Sequence, residues 1–284
     1  MAETTNTQLT SFTKKEVATA ITNETIADSL LASFNKLASQ GQLTFPEGYA
    51  FGNQVKLMYT SISQNANLTS CTPISIGESM AEALIQGLEV DKDQIYFIAR
   101  GKKCTMFRSY YGDVKVAKET GLVKEIFARP IYEGDEYELD TDNDGLPYIK
   151  NHKTSLTNMD KELIGGYAWA VMKDGSKRYC IMTKKEIDAS WSKSTDPSRN
   201  VQKTFPQEMA KRTTIRRLVK MIFNTSSTNL GERAKSVIAS YNRSTKEEYD
   251  NDEKPTKSTV KNILTDENGE PIVADAKAVE ETKE

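Results

Sequence analysis

Histidine is almost absent from this chain of 284 residues: His152 is the only one, which removes most Ser-His or Cys-His nucleophile pairings and most zinc sites. Cysteine is scarce too. Cys71, Cys104 and Cys180 are far apart, odd in number and in no CxxC pair, which argues against a disulfide framework and fits a reducing cytoplasm. No GxxxxGK[ST] run occurs, so no P-loop fuels the protein with nucleotide. No window approaches the roughly 18 consecutive apolar residues of a membrane span. Met1 to Thr10 is polar and lacks the basic-then-apolar layout of a secretory signal. These absences lead us to expect a soluble, cytoplasmic protein with no membrane partner.

The residues present divide the chain into three parts. Residues 1–13 are rich in Thr, Asn and Ser and predict a disordered N-terminus. Residues 14–243 carry the periodic patterns of a folded core. Val17, Ile21, Leu30, Leu31, Phe34 and Leu37 recur at helical spacing, with Gly41 as a stop. Thr72-Pro73 starts a second helix as an N-cap followed by proline at the first helical position. The period then falls toward two: Gln94–Ala99 and Cys104–Tyr110 read as strands joined by the basic tip Arg100-Gly101-Lys102-Lys103. Asp113–Thr120 suits a short helix closed by Gly121, and Val123–Tyr132 suits a strand. Gly166–Met172 and Lys177–Met182 flank the turn Asp174-Gly175, and Thr183 to Glu186 forms a capping box for a helix to Trp191. A loop from Asp196-Pro197 leads to a helix from Pro206 to Phe223, and a weaker one covers Gly231–Tyr241. Residues 244–284 predict a disordered acidic tail, with twelve acids against six lysines from 246 onward. The fold class is α+β, with antiparallel hairpins packed on helices rather than parallel βαβ units.

The net charge of -2 conceals a segregated distribution. Residues 94–132 hold Arg100, Lys102, Lys103, Arg108, Lys115, Lys118, Lys124 and Arg129 against three acids. Tyr96, Phe97, Phe107, Tyr110, Tyr111, Phe127 and Tyr132 are interleaved with them. Cations that track phosphates, beside rings on which bases stack, are what sequence-tolerant single-strand binding requires. The same pattern also describes a strand with an aromatic core face and a solvated basic face, and both readings stand. Residues 199–220 carry Arg199, Lys203, Lys211, Arg212, Arg216, Arg217 and Lys220 against Glu208 alone. On a helix, Ile215, Leu218, Val219, Ile222 and Phe223 form one apolar side and Arg216, Arg217 and Lys220 the other. A solvated helix mixes signs through i,i+4 pairs; unpaired cations of this density point to a polyanion.

An acidic run separates the two clusters: Glu133, Asp135, Glu136, Glu138, Asp140, Asp142 and Asp144. Asp140-x-Asp142-x-Asp144-Gly145 matches the first half of a calcium loop, but its twelfth position is Asn151 and no flanking helices are evident. An acidic loop facing solvent or a neighbouring subunit's basic surface is the better reading. A metal-dependent nuclease using Asp135, Glu136, Asp140 and Asp142 is one alternative function. A scaffold whose basic helix grips an acidic partner is another.

In this order and spacing the motifs of residues 71–223 resemble the RecT family of phage and prophage single-strand annealing proteins. They run from Cys71-Thr72-Pro73-Ile74-Ser75 through Gln86-Gly87-Leu88-Glu89-Val90-Asp91 and Gly101-Lys102-Lys103-Cys104. Tyr110-x-Gly112, Ala117 to Gly121 and Val123-Lys124 follow, then Tyr132-Glu133-Gly134-Asp135-Glu136-Tyr137 and His152-Lys153. Gly166-Tyr167 and Met182-Thr183-Lys184-Lys185-Glu186-Ile187 come next. The most specific piece is Glu208-Met209-Ala210-Lys211-Arg212-Thr213, leading to Arg216-Arg217-Leu218. Where the family has Gly-Tyr-Lys-Gly, this chain has Ser109-Tyr110-Tyr111-Gly112, so a DNA contact there is replaced by stacking or moved to Arg108. Ala99-Arg100-Gly101 also lacks the usual Pro-Tyr lead-in.

The resemblance implies ATP-independent binding of single-stranded DNA and annealing of complementary strands during recombination and DNA repair. It implies homo-oligomeric rings and helical filaments whose subunits line one positive groove and trap the annealed duplex. The hairpin side of that groove would use Arg100, Lys102, Lys103, Arg108, Lys115, Lys118 and Arg129, with Tyr110 and Tyr111 as stacking candidates. The helical side would use Lys211, Arg212, Arg216, Arg217 and Lys220. No catalytic residue, metal site or cofactor is implied, and magnesium assistance to annealing is left open. The expected partner of the tail is a phage exonuclease or the host single-strand-binding protein.

Overall fold

The computed structural model describes residues 14–41, 43–143, 145–192, 199–227 and 229–249. Two long helices begin it, α1 (Lys14–Ser39) and α2 (Phe51–Ser63). Leu30, Phe34 and Leu37 of α1 are buried, as are Val55, Met58 and Ile62 of α2, and the two helices pack on each other. Gly41, at φ +71°, follows the end of α1 as expected. The α2 helix was not foreseen, because its stripe at i, i+3, i+7 is set among Gly52, Asn53, Thr60 and Ser61, which are weak helix formers. A short helix α3 (Ala66–Thr69) leads to α4 (Pro73–Ile85), where the Thr72 hydroxyl accepts from the Ser75 amide at 3.4 Å.

The strands β1 (Ile95–Arg100) and β2 (Lys103–Arg108) form the basic-tipped hairpin, with Gly101 at φ +56° in the turn. The outer edge of β2 is not left open. Ser79 Oγ donates to the Cys104 carbonyl at 2.8 Å, the Cys104 amide donates to Ser75 Oγ at 2.9 Å, and the Thr72 amide donates to the Lys102 carbonyl at 2.8 Å. Helix α4 thereby satisfies backbone groups that would otherwise template strand pairing. The second strand ends two residues sooner than expected. Ser109 turns the chain and caps α5 (Tyr110–Glu119), accepting from the Gly112 amide at 3.3 Å. Gly112 is required there: a Cβ would lie 2.2 Å from the Gln94 carbonyl oxygen.

After α5 come β3 (Val123–Tyr132), β4 (Glu136–Thr141), β5 (Pro147–Lys153), a short helix α6 (Leu156–Met159), β6 (Leu163–Met172) and β7 (Lys177–Thr183). Among the described residues the three sheets are all antiparallel: β1-β2, β4-β5, and β3-β6-β7 with β6 in the centre. The acidic segment is thus an ordered hairpin rather than the expected loop. Asp135 anchors it. Burial alone would raise the Asp135 carboxyl, but hydrogen bonds from Thr154, the Tyr132 amide, His152 and Asn158 outweigh burial and hold it at about 2. His152 bridges Asp135 (2.9 Å) and the Tyr167 hydroxyl (3.2 Å), tying the hairpin to β6.

Helices α7 (Lys184–Ser192), α8 (Arg199–Thr204), α9 (Pro206–Asn224) and α10 (Glu232–Tyr249) complete the described residues. The capping box at α7 is reciprocal: Thr183 N donates to Glu186 Oε2 at 3.0 Å, and Glu186 N donates to Thr183 Oγ1 at 3.4 Å. Helix α9 lies between the β3-β6-β7 sheet and α5. Its sheet contact is close because the facing residues are small. Gly166, Ala168 and Ala170 lie on that face, and a Cβ on Gly166 would sit 3.5 Å from Thr214 Cγ2 and 3.8 Å from Ala210 Cβ. Among the described residues no helix is long and apolar enough to cross a membrane. The expected N-terminal disorder, Asp144 of the calcium-like loop and the tail beyond Tyr249 lie outside the described residues.

Two findings correct the sequence reading. Helix α10 continues to Tyr249, and Ser244, Thr245 and Glu248 are buried, so the core extends past residue 243. Arg108 and Arg216, assigned above to the groove, are buried as well, at 0 % and 8 % exposure. Arg108 Nε donates to Asp113 at 3.0 Å, and its other nitrogens reach Gln86, Ser244 and Thr245. Arg216 Nε donates to Asp113 at 3.1 Å and Nη1 pairs with Glu248. Arg216 is enclosed because α9 is covered on both sides, so its polar flank meets α5 and α10 rather than solvent.

Three outcomes follow from this core. Arg216→Ala strands a buried carboxylate and lowers stability by about 3–5 kcal/mol, whereas Arg217→Ala, on the exposed flank, changes it little; urea denaturation compares them. A chain ending at residue 243 loses Glu248 and melts well below one ending at 249. The depressed Asp135 carboxyl contributes stability that is full above pH 3.8 and lost as pH falls toward 2, an acid loss that Asp135→Asn removes from the pH profile.

Candidate nucleic-acid interface

Antiparallel pairing puts alternate residues of the β1-β2 hairpin on one face. Tyr96 is opposite Phe107, Ile98 opposite Thr105, and Arg100 opposite Lys103. Arg212, one turn before Arg216 on α9, reaches this face. Its guanidinium lies 5.9 Å from the Tyr96 ring centroid and donates to the Arg108 carbonyl at 3.0 Å. Tyr96 stacks on Phe107 at 5.7 Å, and the Arg100 guanidinium lies 5.0 Å from the Phe107 centroid. The result is a strip in the order Arg212, Tyr96, Phe107, Arg100, in which cations flank a pair of rings; Phe107 is buried beneath Tyr96, so Tyr96 is the ring that meets solvent. The structure therefore joins the two basic clusters that the sequence places about a hundred residues apart.

The surface charge of the strip is net positive. Arg100 donates to the Glu247 and Glu248 carbonyls at 3.2 and 2.7 Å, and so sits at the negative end of the α10 dipole. Lys103 is 3.4 Å from the Glu247 carboxylate. Lys102, at the hairpin tip, is exposed and has no ion pair among the described residues. Tyr96 is 38 % exposed. A ring that is half open, beside a guanidinium that is held in place, can take a base on its face while the cation meets phosphate.

The other expected residues divide by their partners. Tyr110 packs against the core and contacts Tyr111 at 4.0 Å between centroids; burial and the neighbouring Tyr111 push its hydroxyl pKa upward. Tyr111 is 53 % exposed and is the open ring of that pair. Lys115 pairs with Glu119 at 2.5 Å, Lys118 with Glu125 at 3.0 Å, and Lys211 with Glu208 at 2.7 Å, so these three are already answered by carboxylates. Arg217 is exposed, 3.6 Å from Glu186, and Lys220 is exposed without an ion pair among the described residues. Arg129 lies elsewhere, on the outer face of β3. Arg108 is closed off as the alternative contact for the missing family lysine, since its guanidinium is wholly buried.

Sequence reasoning missed Lys177, Tyr179, Tyr148 and Trp169, which accompany Arg129 around a cleft of about 300 Å³. A signal for them exists. Gly166, Ala168 and Ala170 alternate with Tyr167 and Trp169, so one face of β6 is built for close packing and the other for rings. The four acids of the nuclease alternative do not converge. Asp135 is used by His152 and Asn158, Asp140 by Lys150, Asp142 by the Leu146 amide, and Glu136 lies 4.0 Å from Lys153.

The strip makes a quantitative expectation for DNA. Lys102→Ala with Arg212→Ala weakens oligothymidylate binding and lowers the slope of log affinity against log salt by about 0.7 for each phosphate that no longer meets a cation. Lys115→Ala, whose charge Glu119 already answers, leaves the slope unchanged. Fluorescence anisotropy over a salt series reads both.

The family model for the RecT family matches residues 52–263. Protein RecT of Escherichia coli (strain K12) is 26% identical over 205 residues, which cover 68% of this chain and 75% of that protein. The family match takes in the hairpin, the sheet and α9, which supply the interface described above, and over this span the chain belongs to the RecT family.

Proposed function

We infer that this protein binds single-stranded DNA and anneals complementary strands in recombination, without ATP and as a homo-oligomer. The observation that carries the reading is the strip of Arg212, Tyr96, Phe107 and Arg100, with Lys102 beside it at the hairpin tip. Such a strip holds a strand through phosphates and the open Tyr96 ring without reading base edges, and so leaves the edges available for pairing. Annealing itself is downhill, at about 1.4 kcal/mol per base-pair step. The protein need only screen phosphate repulsion and keep bases presentable, tasks that use neither nucleotide hydrolysis nor an active site.

One copy offers few phosphate contacts. Repetition of the strip along a ring or filament multiplies them and raises avidity. Residues 250–284 are acidic, with ten acids to five lysines, and charge repulsion keeps such a segment off DNA. We assign it to a protein partner, a phage exonuclease or the host single-strand-binding protein.

Two complementary fluorescent oligonucleotides, mixed with the protein in the absence of nucleotide and over a salt series, test the reading. The expected outcome is faster annealing into a persistent protein–duplex complex that weakens steeply as salt rises. Unaccelerated annealing with intact strands overturns it in favour of a scaffold, and magnesium-dependent strand loss blocked by chelator overturns it in favour of a nuclease.

A further inference from the structure

The β3-β6-β7 sheet has one face against α9 and one turned away from it. Strand register sets Phe127 of β3 opposite Trp169 of β6, and Trp169 opposite Tyr179 of β7, all on the outward face. The rings meet in two stacked pairs: Phe127 and Trp169 at 5.1 Å, and Tyr179 at 5.2 Å on Tyr148 of β5. A row of four aromatic rings thus crosses four strands and two sheets. It is not core. Phe127 is 45 % exposed, and Trp169, Tyr179 and Tyr148 are each half-buried.

The same register places a cation on each flank of the row. Arg129, Tyr167 and Ile181 lie along one side, and Glu125, Val171 and Lys177 along the other. Arg129 and Lys177 have no ion pair among the described residues, while the one carboxylate in these two flanking rows, Glu125, is held by Lys118 at 3.0 Å. At the Tyr148 end Lys150 is shared between Asp140 at 3.4 Å and Glu138 at 3.3 Å, and the Asp142 charge acts on Tyr179, so the phosphates of a bound strand run on the Arg129 and Lys177 flanks. The cleft beside the row has a volume of about 300 Å³, the lower end of the range for small-ligand sites. Its wall is fixed by the His152 bridge between Asp135 and Tyr167, which keeps the β4-β5 hairpin beside the sheet.

We propose that this outward sheet face is a second nucleic-acid contact, on which a single DNA strand stacks bases across Phe127, Trp169 and Tyr179 while Arg129 and Lys177 hold its phosphates. The proposal rests on the annealing reading and adds to it a site distinct from the β1-β2 strip. Flat, half-open rings between cations outside any ion pair match the two chemical faces of a single strand, an apolar base and an anionic phosphate.

Trp169 reports on its own site once the other tryptophan is removed by Trp191→Phe. Oligothymidylate is titrated into that variant while Trp169 emission and oligonucleotide anisotropy are followed together. Quenching that saturates with the anisotropy change supports the site. Phe127→Ala then weakens binding about ten-fold with an unchanged salt slope, as loss of a ring rather than a charge requires, and circular dichroism of the variant matches the parent. Anisotropy that rises while Trp169 emission stays constant, with parent affinity in Phe127→Ala, overturns the site and leaves the annealing reading standing. Absence of any anisotropy change in the parent overturns both. Emission that shifts with protein concentration alone assigns the face to contact between copies and overturns the proposal.

Discussion

Two guanidiniums and two carboxylates, buried together, hold this core in one arrangement. Arg108 of β2 and Arg216 of α9 share Asp113 of α5, and Glu248 of α10 closes the set from the other side. The charges balance. Gln86, Ser244 and Thr245 take the remaining donors of Arg108, and its guanidinium lies 4.1 Å from the Tyr241 centroid. A buried ion cluster contributes little net stability against an apolar equivalent, but leaving any one member unpaired is costly. Its consequence is therefore geometric: hairpin, α5, α9 and α10 must dock in one register or strand a charge.

That register builds the surface. Both Arg212 and Arg216 donate to the Arg108 carbonyl, at 3.0 and 3.2 Å, so the buried arginine of the pair sets where the more open one reaches the β1-β2 face. Across α9, the Gly166, Ala168 and Ala170 face lets the helix approach the sheet closely, and the strand's alternation then turns Trp169 outward. Two surfaces with open aromatic rings and basic flanks arise around one helix, and strand register places the rings of both.

Much of the frame was legible because it rests on local chemistry. Thr72-Pro73, the Gly101 and Gly175 turns, the Thr183–Glu186 capping box and the Val123–Tyr132 strand each follow from residues within a few positions of one another. The α2 helix escaped because weak helix formers dilute its stripe. The end of β2 was misplaced because Ser109 caps a helix inside what looks like an aromatic strand. The acidic run read as a loop because its lysine partners, Lys150 and Lys153, arrive only from the facing strand.

The sequence by itself determined the fold class, antiparallel hairpins packed with helices, and, through the ordered motifs of residues 71–223, the family. It also determined which segments would be cationic. Only the tertiary structure decided which cations face solvent. Arg216 and Arg217 are adjacent and chemically identical, yet one is in the buried ion cluster and the other is 56 % exposed. Helical periodicity ranks positions by their distance from one apolar stripe, and it cannot register a second buried side made of charges. That side exists only because Asp113 and Glu248, 135 positions apart in the chain, are brought to the same arginine.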